Sequence, residues 1–569
     1  MDWVPIQGHL AALYGESAAA QILPRVAALL RKHAASATPA EPHHRSRSLT
    51  ERDALLITYP DQVREPGARP LQTLTDFCET HLRAVVSGIH LLPFYPWSSD
   101  DGFAVKDYFA VDPAFGTWED VTRLGRSFDL MFDAVFNHLS VQGEWFQRFL
   151  RDESEFRDFF LTVDGDPDLS PVVRPRALPL LTEFQTARGR RKVWTTFSAD
   201  QADLNFKNPR VLLAALEALL FYVEKGARFV RLDAIAFLWK EIGTTCLHRP
   251  QTHRIIQLMR AVLDAVAPQV RLITETNVPH ADNVSYFGDG THEAQLVYNF
   301  ALPPLVLHSF QTGNAEKLTR WAQSLALPSD RVTFFNFLAS HDGVGLNPVR
   351  GILSEEEIEA MVTRTLAHGG FISCKDMPDG SRLPYEMNIN YLDALSSPAE
   401  TDVVELAVGE FLTAHAILLS LQGVPGLYFH SLVGSRGDRA GAEASGIPRR
   451  INRQKLGRAG LEAELADTGS PRAHIVRGLR ALLRVRRAHA AFAPTAPQRV
   501  LNLAPDVFGV ERANAESGSS VWCLHNVGSE TRRVRADLAG ARAELDLPPH
   551  ATRWLEPRAG VWVSIASVS

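Results

Sequence analysis

The stretch FVRLDAIAFLW (229–239) poses the problem from which the fold is read. A strand buried on both faces reads as a near-continuous run of Val, Ile and Leu, because an unpaired buried charge is costly. Here Arg231 and Asp233 interrupt the run. Either they neutralise each other, or the strand ends where chemistry takes place. Seven further short apolar runs flank it: ALLITY (54–59), GIHLLPF (88–94), DLMFDAVFN (129–137), VRLITET (270–276), AQLVYNF (294–300), RVTFFNFLASHD (331–342) and GVPGLYF (423–429). With ARFVRLDA (227–234) they make eight, most of them separated by amphipathic segments such as PRVLLAALEALLFYVEKG (209–226). Buried strands alternating with helices predict an α/β fold with a parallel sheet, and eight such units predict a (β/α)8 barrel.

Two intervals are too long for a plain strand–helix unit. The first, between the third and fourth runs, carries PVVRPRALPLL and VWTTFSADQADLNF, and it predicts an inserted subdomain at 139–207. The second, after the seventh run, predicts a smaller insertion. The barrel then occupies 51–138 and 208–490. Residues 1–50 read as a helical segment, with Leu23, Val26, Leu29 and Leu30 at helical spacing, followed by the polar linker ASATPAEPHHRSRS (35–48). After APTAPQ (493–498) the pattern turns to short alternating strands, DVFGVERA, SVWCLHNV and TRRVRADL, which predict a C-terminal β domain over 491–569. The basic run RGRRK (188–192) reads as a solvated loop.

Composition excludes several classes. Of the 569 residues 45% are hydrophobic and 22% charged, and the net charge of -6 gives no sign of a nucleic-acid partner. The four cysteines are far apart without CxxC spacing, so neither a disulfide framework nor a zinc site is indicated. The stretch MDWVPIQGHL lacks the pattern of a signal peptide, and no run reaches the length of a membrane span. A cytoplasmic protein with no membrane partner and no metal is the expectation.

In a (β/α)8 barrel, chemistry sits at the C-terminal ends of the strands. Asp233, Glu275 and Asp342 fall there on the fourth, fifth and seventh runs. Three carboxylates at one mouth suit a cationic substrate, a metal, or sugar transfer. In sugar transfer one carboxylate attacks the anomeric carbon and another protonates the leaving oxygen. Each alone has a structural alternative, as an ion-paired or helix-capping acid.

VRLDAIAF, ITETNV, FLASHD, DAVFNH (133–138) and QADLN (201–205) resemble the motifs of the α-amylase superfamily of retaining glycosidases and transglycosidases. The resemblance implies that Asp233 is the nucleophile, Glu275 the general acid/base and Asp342 the transition-state stabiliser. It implies that Arg231 orients Asp233 and keeps it ionised, and that His138 and His341 bind the glucosyl hydroxyls. Calcium-dependent starch hydrolases of that superfamily usually carry Lys-His where this chain has Ala236 and Phe237. PFYPWSSDDGFAVKDYFAVDPAFGTWED is instead similar to the sucrose phosphorylase subfamily, in which Asp100 and Arg453 of INR would grip the far side of a single glucose. Within the subfamily, LLITYPDQV, RPRALPLLTEFQ and ITETNVPHADNVSYFGDG resemble the glucosylglycerate-specific members.

That resemblance implies phosphorolysis of a small-molecule glucoside. Inorganic phosphate would be the co-substrate, no cofactor would be needed, and the chain would work as a monomer or homodimer. Sucrose, sucrose 6'-phosphate or glucosylglycerol phosphorolysis, and hydrolysis of the same intermediate, stay as alternatives. Arg174 and Arg176 are candidates for an anionic acceptor, with solvated loop charges as the alternative. Tyr59 and Phe103 would wall the sugar or belong to the core.

Overall fold

The computed structural model describes residues 2–36, 48–176, 178–376, 381–399, 404–538, 541–558 and 561–568. Most of the linker expected at 35–48, with His43 and His44, lies outside the described residues.

Eight parallel strands close into a barrel in chain order. They are β1 (Leu55–Thr58), β2 (Gly88–Leu91), β3 (Asp129–Ala134), β4 (Ala227–Leu232), β5 (Arg271–Thr274), β6 (Leu296–Tyr298), β7 (Thr333–Asn336) and β8 (Val424–Tyr428). Each falls within one of the eight apolar runs. Closure joins β8 to β1 with Leu56 opposite Leu427. The helix Pro209–Glu224 shows how the outer ring forms. The Asn208 side chain accepts from the Arg210 N–H at its start, a proline occupies the first turn, and Val211, Leu212, Leu216, Leu219 and Tyr222 are buried. Gly226, at φ 97, then turns the chain into β4 in a conformation that a side chain would strain.

The register of the barrel answers the charge puzzle of β4 in part. Arg231 lies directly beside Asp133 of β3, so the two side chains share a face of the sheet. Both are buried, and they form an ion pair. Arg231 is therefore partnered by a carboxylate from the neighbouring strand as well as by Asp233.

Between β3 and β4 the inserted segment pairs His138–Ser140 with Gln201–Asp203 and builds a three-stranded sheet from Thr162–Val163, Leu181–Thr186 and Gly189–Trp194. The basic run at 188–192, expected as a loop, forms most of a strand here. Its Arg190, Arg191 and Lys192 alternate across a hairpin and meet Glu183, Asp164 and Asp166. After β7 the second insertion forms a sheet of Val344–Gly345, Arg382–Asn388 and Phe371–Asp376.

The N-terminal segment is two helices, Val4–Tyr14 and Glu16–Ser36, broken at Gly15. The Tyr14 hydroxyl donates to the Phe206 carbonyl and ties them to the end of the inserted segment. The C-terminal strands Gln498–Ala504, Val507–Asn514, Ser519–Asn526, Thr552–Arg558 and Val561–Val568 form one antiparallel sheet, with a separate hairpin of Arg532–Leu538 and Ala541–Leu547. Among the described residues no helix is long and apolar enough to cross a membrane.

Candidate active site

A cavity of about 340 Å³ opens at the C-terminal ends of the strands, and Asp233, Glu275 and Asp342 all line it. Its size lies at the small end of the ~300–1,000 Å³ usual for ligand pockets. Asp233 is the first residue after β4, and its N–H donates to the Ala134 carbonyl at 3.2 Å. The next residue, Ala234, takes the left-handed conformation (φ 48), which turns its N–H onto the Glu275 carboxylate at 3.0 Å. The two acids are thus linked through the Asp233–Ala234 peptide bond. Asp342 arrives from the loop after β7.

Charge at the site is organised by arginines. Arg231 donates to Asp233 at 2.8 Å and to Asp133, and lies 3.7 Å from Glu275. Asp133 also receives His90 at 2.7 Å, so a fully buried His90–Asp133–Arg231 chain stands beneath the acids. Burial raises the Asp233 carboxyl well above its ordinary value, against Arg231, and Glu275, Asp133 and Asp342 raise it further. Burial likewise raises Glu275, again opposed by Arg231. Buried carboxylates that repel one another bind a proton as a set. Since Arg231 sits closer to Asp233, the geometry favours the anion on Asp233 and the proton on Glu275. Arg231, expected to keep Asp233 ionised, also shares its charge with Asp133.

Asp342 behaves differently. Burial raises it too, but Arg449 at 2.7 Å, His341, Arg453 and Arg231 together hold it below the ordinary carboxylate range. His341 is pushed down to about 3, chiefly by burial, and is neutral at working pH. Its ring stacks on Phe103 at 4.8 Å with planes 5° apart, forming one wall of the cavity. His138 also lines the cavity, held by the Phe103 carbonyl at 2.9 Å and by Gln201 at 3.2 Å. Ala236, Phe237 and Phe300 add apolar lining.

Asp100, Phe103, His138, Arg174, Arg176, Asp233, Glu275, His341 and Asp342 line the cavity, while Arg231 lies just beneath it. Two further sequence candidates lie behind the wall. Tyr59 packs its ring edge-on to His341 at 6.0 Å, with Lys455 over its other face. Arg453 donates to the His341 carbonyl at 2.9 Å, to Asp101 at 2.7 Å and to Asp342 at 3.2 Å. Asp100 and Arg453, expected to grip one glucose together, do not pair with each other: the turn at Asp100 and Asp101 (φ 56 and 48) gives Arg453 the Asp101 carboxylate. Asp100 instead meets Arg176 at 2.7 Å and is held well below its ordinary value, Arg176 and Arg453 overcoming burial.

Sequence reasoning missed Asp133, Gln201, Arg449, Glu386, Arg350 and Lys375. Arg449 lies four residues before Arg453, in the short helix Pro448–Asn452, and bridges Asp342 to Glu386. The last three stand in or beside the second insertion, where no strand-end rule points to them.

A family model for the α-amylase catalytic domain matches residues 83–346. The glucosylglycerate phosphorylase of Allomeiothermus silvanus is 54% identical, over 91% of this chain and 91% of that one. That of Spirochaeta thermophila is 50% identical, over 84% and 81%. The sucrose phosphorylase of Agrobacterium vitis is 30% identical, over 77% and 88%. A crystal structure of sucrose 6F-phosphate phosphorylase from Thermoanaerobacter thermosaccharolyticum superposes with a TM-score of 0.75 at 24% identity, over 91% of this chain and 99% of that one, and shows the same fold. Sequence motifs, barrel and relatives agree: the chain belongs to the α-amylase superfamily and, within it, to the family of the glucosylglycerate and sucrose phosphorylases.

Proposed function

We propose that the chain is a retaining phosphorylase that moves an α-glucosyl unit from glucosylglycerate to inorganic phosphate. The observation that carries this reading is the convergence of Asp233, Glu275 and Asp342 on one small cavity that also carries several arginines and a lysine. The inner acids suit a glucosyl ring, and the cations suit an anionic acceptor. The kinship at 54% identity supports glycerate as the aglycone.

In the first step an Asp233 oxygen attacks C1 while the C1–O bond to glycerate breaks, and the Glu275 proton goes to the departing glycerate oxygen. Asp342, kept anionic by Arg449 and Arg453, stabilises the positive charge that develops on the ring. In the second step a phosphate oxygen attacks C1 from the face glycerate left. Its proton passes to the Glu275 carboxylate, and the bond to Asp233 breaks. Two inversions give α-glucose 1-phosphate with retention. His138, His341 and Asp100 hold the ring hydroxyls, and Phe103 walls the pocket. The same reading carries a cytoplasmic setting, supported by four free cysteines. It needs no cofactor, and its working unit is a monomer or homodimer.

The test is to incubate the protein with glucosylglycerate, with and without phosphate. Glucose 1-phosphate should form only with phosphate, and faster than from sucrose or glucosylglycerol. Free glucose as the main product, at saturating phosphate, would overturn the proposal.

A further inference from the structure

Of the five arginines and lysines on the cavity wall, Arg174 has no ion pair among the described residues, and the other four fall into two groups. Arg176 and Arg449 are spent on acids of the same cavity, Asp100 for the first, and Asp342 with Glu386 for the second. Lys375 and Arg350 also line the cavity but meet none of its acids. Lys375 projects from the strand Phe371–Asp376 of the second insertion. It is half-buried, and among the described residues it has neither an ion pair nor a hydrogen bond. Arg350 is fixed against the same hairpin, donating to the Pro384 carbonyl at 2.9 Å from the strand that pairs with Phe371–Asp376. Its only carboxylate partner among the described residues is the exposed Glu355, at 2.8 Å. Burial, with Arg350 beside it, lowers the Lys375 ammonium below its ordinary value.

Two like charges at the wall of a cavity, one without a counter-ion among the described residues, form a place that an oxyanion would relieve. We propose that Lys375 and Arg350 are the oxyanion-binding end of the acceptor subsite, and that they make the enzyme choose charged acceptors over neutral alcohols. The inference deepens the phosphorylase reading, in which two oxyanions visit this subsite in turn: the glycerate carboxylate and phosphate. Lys375 is then a specificity residue that touches the acceptor, while the glucosyl unit is held by the inner acids and histidines.

The experiment uses α-glucosyl fluoride as donor, so that the glucosyl-enzyme forms without any aglycone. Glycerate, phosphate, glycerol and water are then compared as acceptors in the wild type, Lys375→Met and Arg350→Gln. Loss of a charged contact should lower kcat/KM about 10- to 100-fold for glycerate, phosphate or both. Transfer to glycerol and water should change less than about threefold, since neither neutral acceptor uses that contact. Whichever anion loses more in Lys375→Met is the one the ammonium holds. The proposal is overturned if all four acceptors decline together, or if neither anion declines. Failure of the phosphorylase reading would show separately, as a wild type that makes no glucose 1-phosphate from glucosylglycerate.

Discussion

At the scale of the residue, Asp233 combines reactivity with a stability cost. Its carboxyl is raised by burial and by three neighbouring acids, against Arg231. A carboxyl whose folded pKa exceeds its unfolded value helps folding only at low pH, and above both values it opposes folding. Asp233→Asn removes that opposition together with the nucleophile. Turnover should fall at least about 10³-fold. Stability at pH 7 should rise by about 1 kcal/mol, the usual scale for relieving strain at an active site. The gain should shrink as pH falls into the raised range of Asp233. Calorimetry at pH 7 and pH 5 reads both, and a variant less stable than wild type at pH 7 would contradict the account. Glu275 allows a complementary test, because burial raises it and its proton is needed only when the leaving group is basic. Phosphorolysis of glucosylglycerate should fall as pH rises through the Glu275 value, whereas release of fluoride from glucosyl fluoride should not. Glu275→Gln should lose about 10²–10⁴-fold on the glucoside and far less on the fluoride. The three acids were legible in the sequence because barrel geometry puts strand-end positions at the mouth. Asp133 was not, since its partnership with Arg231 follows from a cross-strand register that only the closed barrel sets.

At the scale of the element, the cavity depends on how the first insertion is fastened to β3. Lys240 lies beyond β4, buried, and its ammonium meets Asp203 of the insertion and donates to the Asn137 side-chain Oδ1 at 2.7 Å. Asp203 is itself wholly buried and also accepts from the Thr196 N–H at 2.9 Å and hydroxyl at 2.6 Å. Removing one partner of such a pair strands the other charge, which costs about 3–5 kcal/mol. Lys240→Met should therefore lower the unfolding temperature and expose 139–207 to proteolysis ahead of the barrel. Because His138 and Gln201 sit on the two strands that this clamp aligns, KM for the glucoside should rise as well. Unchanged protease resistance would show that the clamp is not what holds the insertion. The insertion was foreseen from the length of the β3–β4 interval, but its internal order was not. RGRRK has the composition of a solvated loop, but its residues from Gly189 onward pair as a hairpin with Leu181–Thr186, a backbone partnership its charges do not announce.

At the scale of the whole molecule, two buried arginines hold the region where the barrel runs on into the C-terminal sheet, and neither belongs to the chemistry. Arg486, from the helix Pro471–Ala488, donates to the carbonyls of Asp53, Gly423 and Phe492, at the entrances of β1 and β8 and just past the helix. Arg512, on the sheet strand Val507–Asn514, donates to Ser420 at 3.1 Å, Ala493 at 2.9 Å and Ala496 at 3.0 Å. Both are wholly buried, and burial pushes them down to about 10 and about 9. The alternating strands made the C-terminal sheet legible, but the sequence offers no means of telling a buried arginine from the many exposed ones, because its partners are carbonyls and leave no pattern of charge. Arg512→Met keeps much of the side-chain volume and deprives three carbonyls of their donor, each worth about 1–3 kcal/mol when left buried and bare, with less than full additivity. The variant should unfold several degrees below wild type, and the sheet should part from the barrel first, seen as earlier cleavage in 491–569. None of these carbonyls touches the cavity, so kcat/KM at 25 °C should stay within about twofold, the outcome for a change that touches no substrate contact. A large loss of activity without loss of stability would mean that the C-terminal sheet acts on the active site, and that the separation between fold and chemistry drawn here is wrong.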